Sequence, residues 1–198
     1  MPNSGANPTR AKRRAVPKIY TEAALYEYAV GALSRRMRTV AELKRMMRAR
    51  AAHQPDCDAL VEAVTARLKE QRYLNDSNYA AYYSALRRDN EKLGRMRVTQ
   101  ELKARGVHPQ VIEKSVGESY AGVDELKLLR EFAARKRLKQ PKDQKESARV
   151  FRTMARAGFS SRAIIQLLRK WSVDDETLSA LEQEREIAMD SPPVDEEG

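Results

Sequence analysis

RVTQELKARGVHPQVIEKSV (97–116) and RVFRTMARAGFSSRAIIQLL (149–168) are one pattern written twice, fifty-two positions apart. Both begin Arg-Val, both place a glycine at the same offset (Gly106, Gly158), and both follow it with an apolar residue (Val107, Phe159). A second apolar stripe comes next: Val111, Ile112 and Val116 in one copy, Ala163, Ile164 and Leu168 in the other. Upstream, TVAELKRMM (39–47) echoes VTQELKARG (98–106), with Leu43 matched to Leu102 at an offset of fifty-nine. Each copy reads as helix, glycine stop, short turn, helix. Repetition at this period marks a tandem array of small helical units rather than a fold built around one pocket.

Upstream, Leu25, Tyr26, Ala29, Val30 and Leu33 form a helical stripe, followed by Leu43, Met46 and Met47 and then by Leu60, Val61, Val64 and Leu68. YLNDSNYAAYY (73–83) opens a second unit, with Asp76 expected as N-cap and Tyr79, Tyr82, Tyr83 and Leu86 facing the core. Gly94 interrupts this unit, Gly106 ends its next helix, and Pro109 suits the first turn of the one after. A third unit runs from Leu126, Leu129 and Phe132 through Val150, Phe151 and Met154 to a last helix. That helix has Ser160 as cap and Ile164, Ile165, Leu168 and Trp171 buried. Strand-like alternation does not occur. The expected fold is all-α: three tandem three-helix repeats (19–75, 76–120 and 121–173) forming an elongated, curved array. A disordered basic arm (1–18) precedes it, and an acidic C-terminal tail (174–198) follows, with room for one short helix over 175–189.

Charge divides sharply along the chain. Of 38 Lys+Arg and 28 Asp+Glu, 1 and 10 lie after residue 173, which leaves 37 and 18 in residues 1–173, a net of +19. Such a body attracts polyanions or acidic protein surfaces, and its associations should weaken with salt. The arm alone does not separate a phosphate-binding element from an unselected tail. The single cysteine, Cys57, excludes an internal disulfide and fits a reducing cytoplasm. No apolar run approaches a membrane span, and the N-terminus lacks the apolar core of a secretory signal.

Catalytic signatures are absent: the eight glycines form no phosphate loop, and His53 with Cys57 supplies at most half a metal site. No catalytic residue, metal or cofactor is expected, and the chain reads as a binding protein rather than an enzyme. Tyr79, Tyr82 and Tyr83 beside Arg87 and Arg88 suit single-strand stacking, but their spacing matches core positions better. Those two arginines remain surface candidates. The helix–glycine–helix unit also suggests a helix-turn-helix, yet PQVIEKSVGES (109–119) has few base-reading side chains.

The combination AVGALSRRMRTVAELKRMM (29–47), LKEQRYLNDSNYAAYY (68–83), LGRMRVTQELKARGV (93–107) and RVFRTMARAGFSSRAI (149–164) resembles the RecX family of recombination regulators. The resemblance covers about residues 25–171. It implies three tandem three-helix repeats and a partner, RecA. Members bind the RecA–DNA filament in its groove or at its end and lower its ATPase, strand-exchange and co-protease activities in recombination, DNA repair and the SOS response. They also bind DNA weakly. The competing expectation is a stand-alone basic helix-turn-helix-like DNA-binding protein. Monomer is the expected state.

Contact candidates are basic residues on the helices. The first unit supplies Arg35, Arg36, Arg45 and Arg48. The second supplies Arg87, Arg88, Arg95, Arg97, Lys103 and Arg105, and the third Arg149, Arg152 and Arg156. Asp76, Leu102, Gly106, Gly158 and Phe159 are expected to be structural. Reversing Lys103 and Arg105 together is expected to weaken filament inhibition without unfolding. The tail is expected to fold back on the basic face and compete with phosphate, so that deleting 174–198 raises DNA affinity.

Overall fold

The computed structural model of the chain describes residues 19–190, with side chains to 183; the basic arm falls outside the described residues. Ten helices and no strand occur among them: α1 (Glu22–Arg35), α2 (Val40–Ala51), α3 (Cys57–Glu70), α4 (Asp76–Glu91), α5 (Arg95–Ala104), α6 (Pro109–Tyr120), α7 (Glu125–Arg135), α8 (Gln144–Arg156), α9 (Ser161–Lys170) and α10 (Asp175–Asp190). Most starts carry a side-chain cap. Thr21, Thr39, Asn75, Asp124, Asp143 and Ser160 each accept from a backbone N–H of the first turn, satisfying a donor the helix cannot.

Three separate cores follow in chain order. Leu25, Ala29, Leu43, Met47, Val61, Val64 and Leu68 close α1–α3. Tyr79, Tyr83, Val98, Leu102, Ile112 and Val116 close α4–α6. Leu129, Phe132, Phe151, Met154, Phe159, Ile164 and Leu168 close α7–α9. This is the tandem three-helix fold that the repeat implies.

Four expectations need correction. The cap of α4 is Asn75, because Asp76 turns away to accept the Val40 N–H of the first unit at 2.8 Å. Tyr82 (58% exposed) and Leu86 (37%) lie on the outer side of α4, since the core stripe steps from Tyr79 to Tyr83. Trp171 is only half-buried, at the end of α9. The register of the upstream copy is off by one turn. Leu43 lies four residues after the cap Thr39, as Val98 lies four after the cap Gly94, so the offset is fifty-five and Met47 answers to Leu102.

The acidic segment is not simply a tail. α10 packs on α8 and α9, and its Leu178 and Leu181 join the third core. Fully burying one leucine is worth about 1.5–3 kcal/mol, so deleting 174–198 strips stability from the third unit as well as charge.

Candidate interaction surface

The units meet at two joints of the same design. At each, the start of one unit's second helix docks on the turn behind the next unit's second helix. At the first joint the start of α2 meets the turn after α5. Thr39, fully buried, donates its hydroxyl to the Arg105 carbonyl at 2.7 Å while accepting from the Glu42 N–H. Arg105 in turn donates to Glu42 Oε1 at 2.7 Å. At the second joint the start of α5 meets the turn after α8. Gly94 N donates to the Ala157 carbonyl at 2.8 Å, Met96 N to the Gly158 carbonyl at 3.2 Å, and Lys92 pairs with Glu131 at 2.7 Å.

Both glycines are required by contact rather than by backbone angle alone. Arg72, Lys92, Arg137 and Ser172 all adopt positive φ, so non-glycine residues carry that conformation elsewhere in this chain. At Gly106, however, a Cβ would lie 2.5 Å from the Ala41 Cβ, and at Gly158 it would overlap the Arg97 backbone nitrogen. Gly94, singled out in sequence only as an interruption, faces Gly158 across the second joint under the same restriction.

A polar network spans the second unit between the joints. The Tyr83 ring stacks on Tyr79 at 5.8 Å, and the Arg87 and Arg105 guanidiniums lie 5.1 and 4.9 Å from its centroid. Tyr83 Oη donates to Glu101 Oε2 at 2.7 Å, Arg87 Nε reaches the same oxygen at 2.8 Å, and Arg97 Nε binds Oε1 at 2.9 Å. Arg87 also pairs with Glu91. Burial alone would raise the Glu101 carboxyl, but the hydrogen bonds from Tyr83, Arg87 and Arg97 outweigh it and hold the group below its ordinary 4.5. Asp76 shifts the other way: burial lifts it above 3.8 against the Val40 N–H.

The pH consequences have opposite signs. Glu101 contributes stability that is present above 4.5 and lost as pH falls through its lowered value. Asp76 contributes stability that is present below 3.8 and lost as pH rises through its raised value. In acid unfolding between about pH 5 and pH 3, Glu101→Gln is therefore expected to flatten the loss of stability and Asp76→Asn to steepen it. Equal slopes in both variants would contradict this assignment.

The thirteen basic candidates separate into two groups. Arg87, Arg88, Arg97 and Arg105 serve the second unit and its joints, with Arg88 paired to Asp89 at 2.7 Å and bonded to the Ser119 carbonyl across to α6. Arg48 pairs with Asp58 at 2.8 Å. Arg35, Arg36, Arg45, Arg95, Lys103, Arg149, Arg152 and Arg156 are exposed. The joint reversal of Lys103 and Arg105 is thus no neutral test, because Arg105→Glu would set a carboxylate against Glu42. Leu102 and Phe159 are fully buried, as expected of core residues. Sequence reasoning missed Thr39, Glu42 and Glu101; only the Thr-x-x-Glu spacing at 39–42 offered a signal, and that signal normally describes a cap. Among the described residues no group of three or more His, Cys, Asp or Glu is placed to hold a metal ion, and no helix is long and apolar enough to cross a membrane.

Known proteins share this fold. The family model described as "RecX, second three-helix domain" matches residues 75–116, which span α4 to α6. The regulatory protein RecX of Trichlorobacter lovleyi is 32% identical over 148 residues, covering 73% of this chain and 94% of the relative. That of Pseudomonas fluorescens is 31% identical over 156 residues, covering 78% and 96%. Among solved structures, a regulatory protein RecX superimposes with a TM-score of 0.62 at 20% identity, over 75% of this chain and 71% of its own. RecX from Lactobacillus salivarius gives 0.60 at 18% identity, over 76% and 96%. The structures support the fold, and the sequence relatives, matched over nearly their whole length, establish that this chain belongs to the RecX family of regulatory proteins.

Proposed function

We propose that this protein is a negative regulator of RecA that binds the RecA–DNA filament and lowers its ATPase, strand-exchange and co-protease activities. The observation that carries the reading is family membership over about three quarters of the chain. A net charge of +19 over residues 1–173 supports it, because a nucleoprotein filament offers both phosphate and acidic protein surface. The protein acts by binding, not by catalysis, and in the cytoplasm where RecA works. Its contact set is the exposed basic group: Arg35, Arg36, Arg45, Arg95, Lys103, Arg149, Arg152 and Arg156.

Co-sedimentation with RecA–single-stranded-DNA filaments, and with the same DNA alone, tests the reading. Filaments should retain the protein at salt that releases it from bare DNA, since bare-DNA binding rests on counterion release. Reversing Arg45 and Arg149 together is expected to weaken filament binding about tenfold with the unfolding midpoint unchanged, as for charges at a complementary interface. Unaltered binding would remove these residues from the contact set.

A further inference from the structure

The groove between the second and third helices exists in all three units, in three different states. Equivalent buried positions define it: Met47, Val61 and Thr65 in the first unit, Leu102, Ile112 and Val116 in the second, and Met154, Ile164 and Leu168 in the third. In the first unit the groove is closed by charge, with Lys44 on α2 bonded to Glu62 on α3 at 2.6 Å. In the third it is filled by α10, which rests on α8 and α9 and buries Leu178 and Leu181 there. Phe151 and Ile165 take the places of Lys44 and Glu62, and both are buried.

In the second unit the same two positions hold Thr99 and Glu113. Threonine is too short to reach across, and among the described residues no helix lies over the pair. An open hollow of about 480 Å³ remains, floored by Ile112 and Val116. Its α5 rim carries Arg95, Met96 and Lys103, with Met96 39% exposed. Arg95 and Lys103 form no ion pair among the described residues.

We infer that the α5–α6 groove is a docking site for an acidic amphipathic helix of a protein partner, seated as α10 is seated between α8 and α9. The occupant follows from the groove's chemistry. Ile112 and Val116 are already buried, so the accessible apolar lining that takes anchors spaced like Leu178 and Leu181, one helical turn apart on one face, is Met96 and Pro109 at the rims. The unpaired Arg95 and Lys103 take an acidic flank, as borne by the Asp174–Glu176 start of α10. Glu113 on the α6 rim repels phosphate and orients the acidic flank toward α5. This goes beyond RecA regulation and holds whichever protein carries the helix.

The probe is a synthetic peptide of residues 174–190, added in trans to the full-length protein, whose own α10 already fills the third groove. Hydrogen exchange should show new protection within 95–116, and fluorescence anisotropy should show saturable binding. A peptide with both Leu178→Ser and Leu181→Ser should not bind. Lys103→Glu should weaken binding about tenfold, the equivalent of 1.4 kcal/mol. Thr99→Lys, which installs the ion pair that closes the first unit's groove, should also abolish protection at 95–116 without lowering the unfolding midpoint. Three results would overturn the inference: protection confined to 147–168, which means exchange with the resident α10; no protection anywhere; or protection of 95–116 by duplex DNA but not by the peptide.

Discussion

Gly158→Val is expected to detach the third unit from the second while each stays folded. The new side chain meets the Arg97 backbone nitrogen and the Gly94 carbonyl of the neighbouring unit, neither of which can rotate aside. It also forces a β-branched residue to φ +92. The left-handed conformation costs about 1–2 kcal/mol, overpacking about 1–3, and each of the two backbone hydrogen bonds from Gly94 and Met96 about 0.5–1.5. Separation relieves the overlap at the expense of the joint, so the loss is on the order of 2–5 kcal/mol. Thermal unfolding should split into two transitions, and small-angle scattering should show a larger radius of gyration. Gly31→Ala is the control: within α1, with nothing inside 4 Å, it should stabilise by about 0.5–1 kcal/mol. A single transition within about 0.5 kcal/mol of wild type for Gly158→Val would contradict the joint.

The second large effect is expected at the other joint. Arg105→Glu removes the partner of Glu42, whose side chain is only 14% exposed and whose Oε2 already lacks a hydrogen bond. The variant also removes the guanidinium from the face of Tyr83. Losing one member of a buried pair costs about 3–5 kcal/mol, and because Arg105 keeps about a third of its side chain in solvent the expected loss is nearer 2–3. Urea unfolding reads this directly. The double variant Glu42→Arg with Arg105→Glu should recover at least half of the loss, since the two residues form one coupled pair. No recovery would mean that Arg105 acts through Tyr83 and Glu101 rather than through the joint.

The units were legible in the sequence because each core stripe repeats at helical spacing and each second helix of the two closer copies ends in glycine. The joints were not. Gly106 and Gly158 read correctly as helix stops, but the second constraint on them comes from Ala41 and Arg97, more than sixty residues away in the chain. The upstream copy misled by one turn because Glu-Leu-Lys (42–44) recurs as 101–103 at an offset of fifty-nine. At fifty-five the core positions Leu43 and Met47 fall on Val98 and Leu102, but Lys44 and Arg45 fall on Thr99 and Gln100; the caps Thr39 and Gly94 fix the register. Asp76 read as a local cap because its side chain suits one, while the neighbouring Asn75 took that role and freed Asp76 to reach Val40. Arg87 and Arg105 resembled solvated charges for the same reason: nothing local in the sequence places Glu101 and Glu42 beside them. The tail's acidic composition concealed Leu178 and Leu181, whose spacing is that of a packed helix.

A basic array that acts on a recombinase filament must change the rate of single-stranded-DNA-dependent ATP hydrolysis by the cognate RecA. The protein should be titrated at fixed DNA and near-physiological salt. Inhibition is expected at well below one protein per recombinase. An absence of effect until the protein is abundant enough to coat the DNA would contradict it, and would assign the chain to stand-alone DNA binding instead.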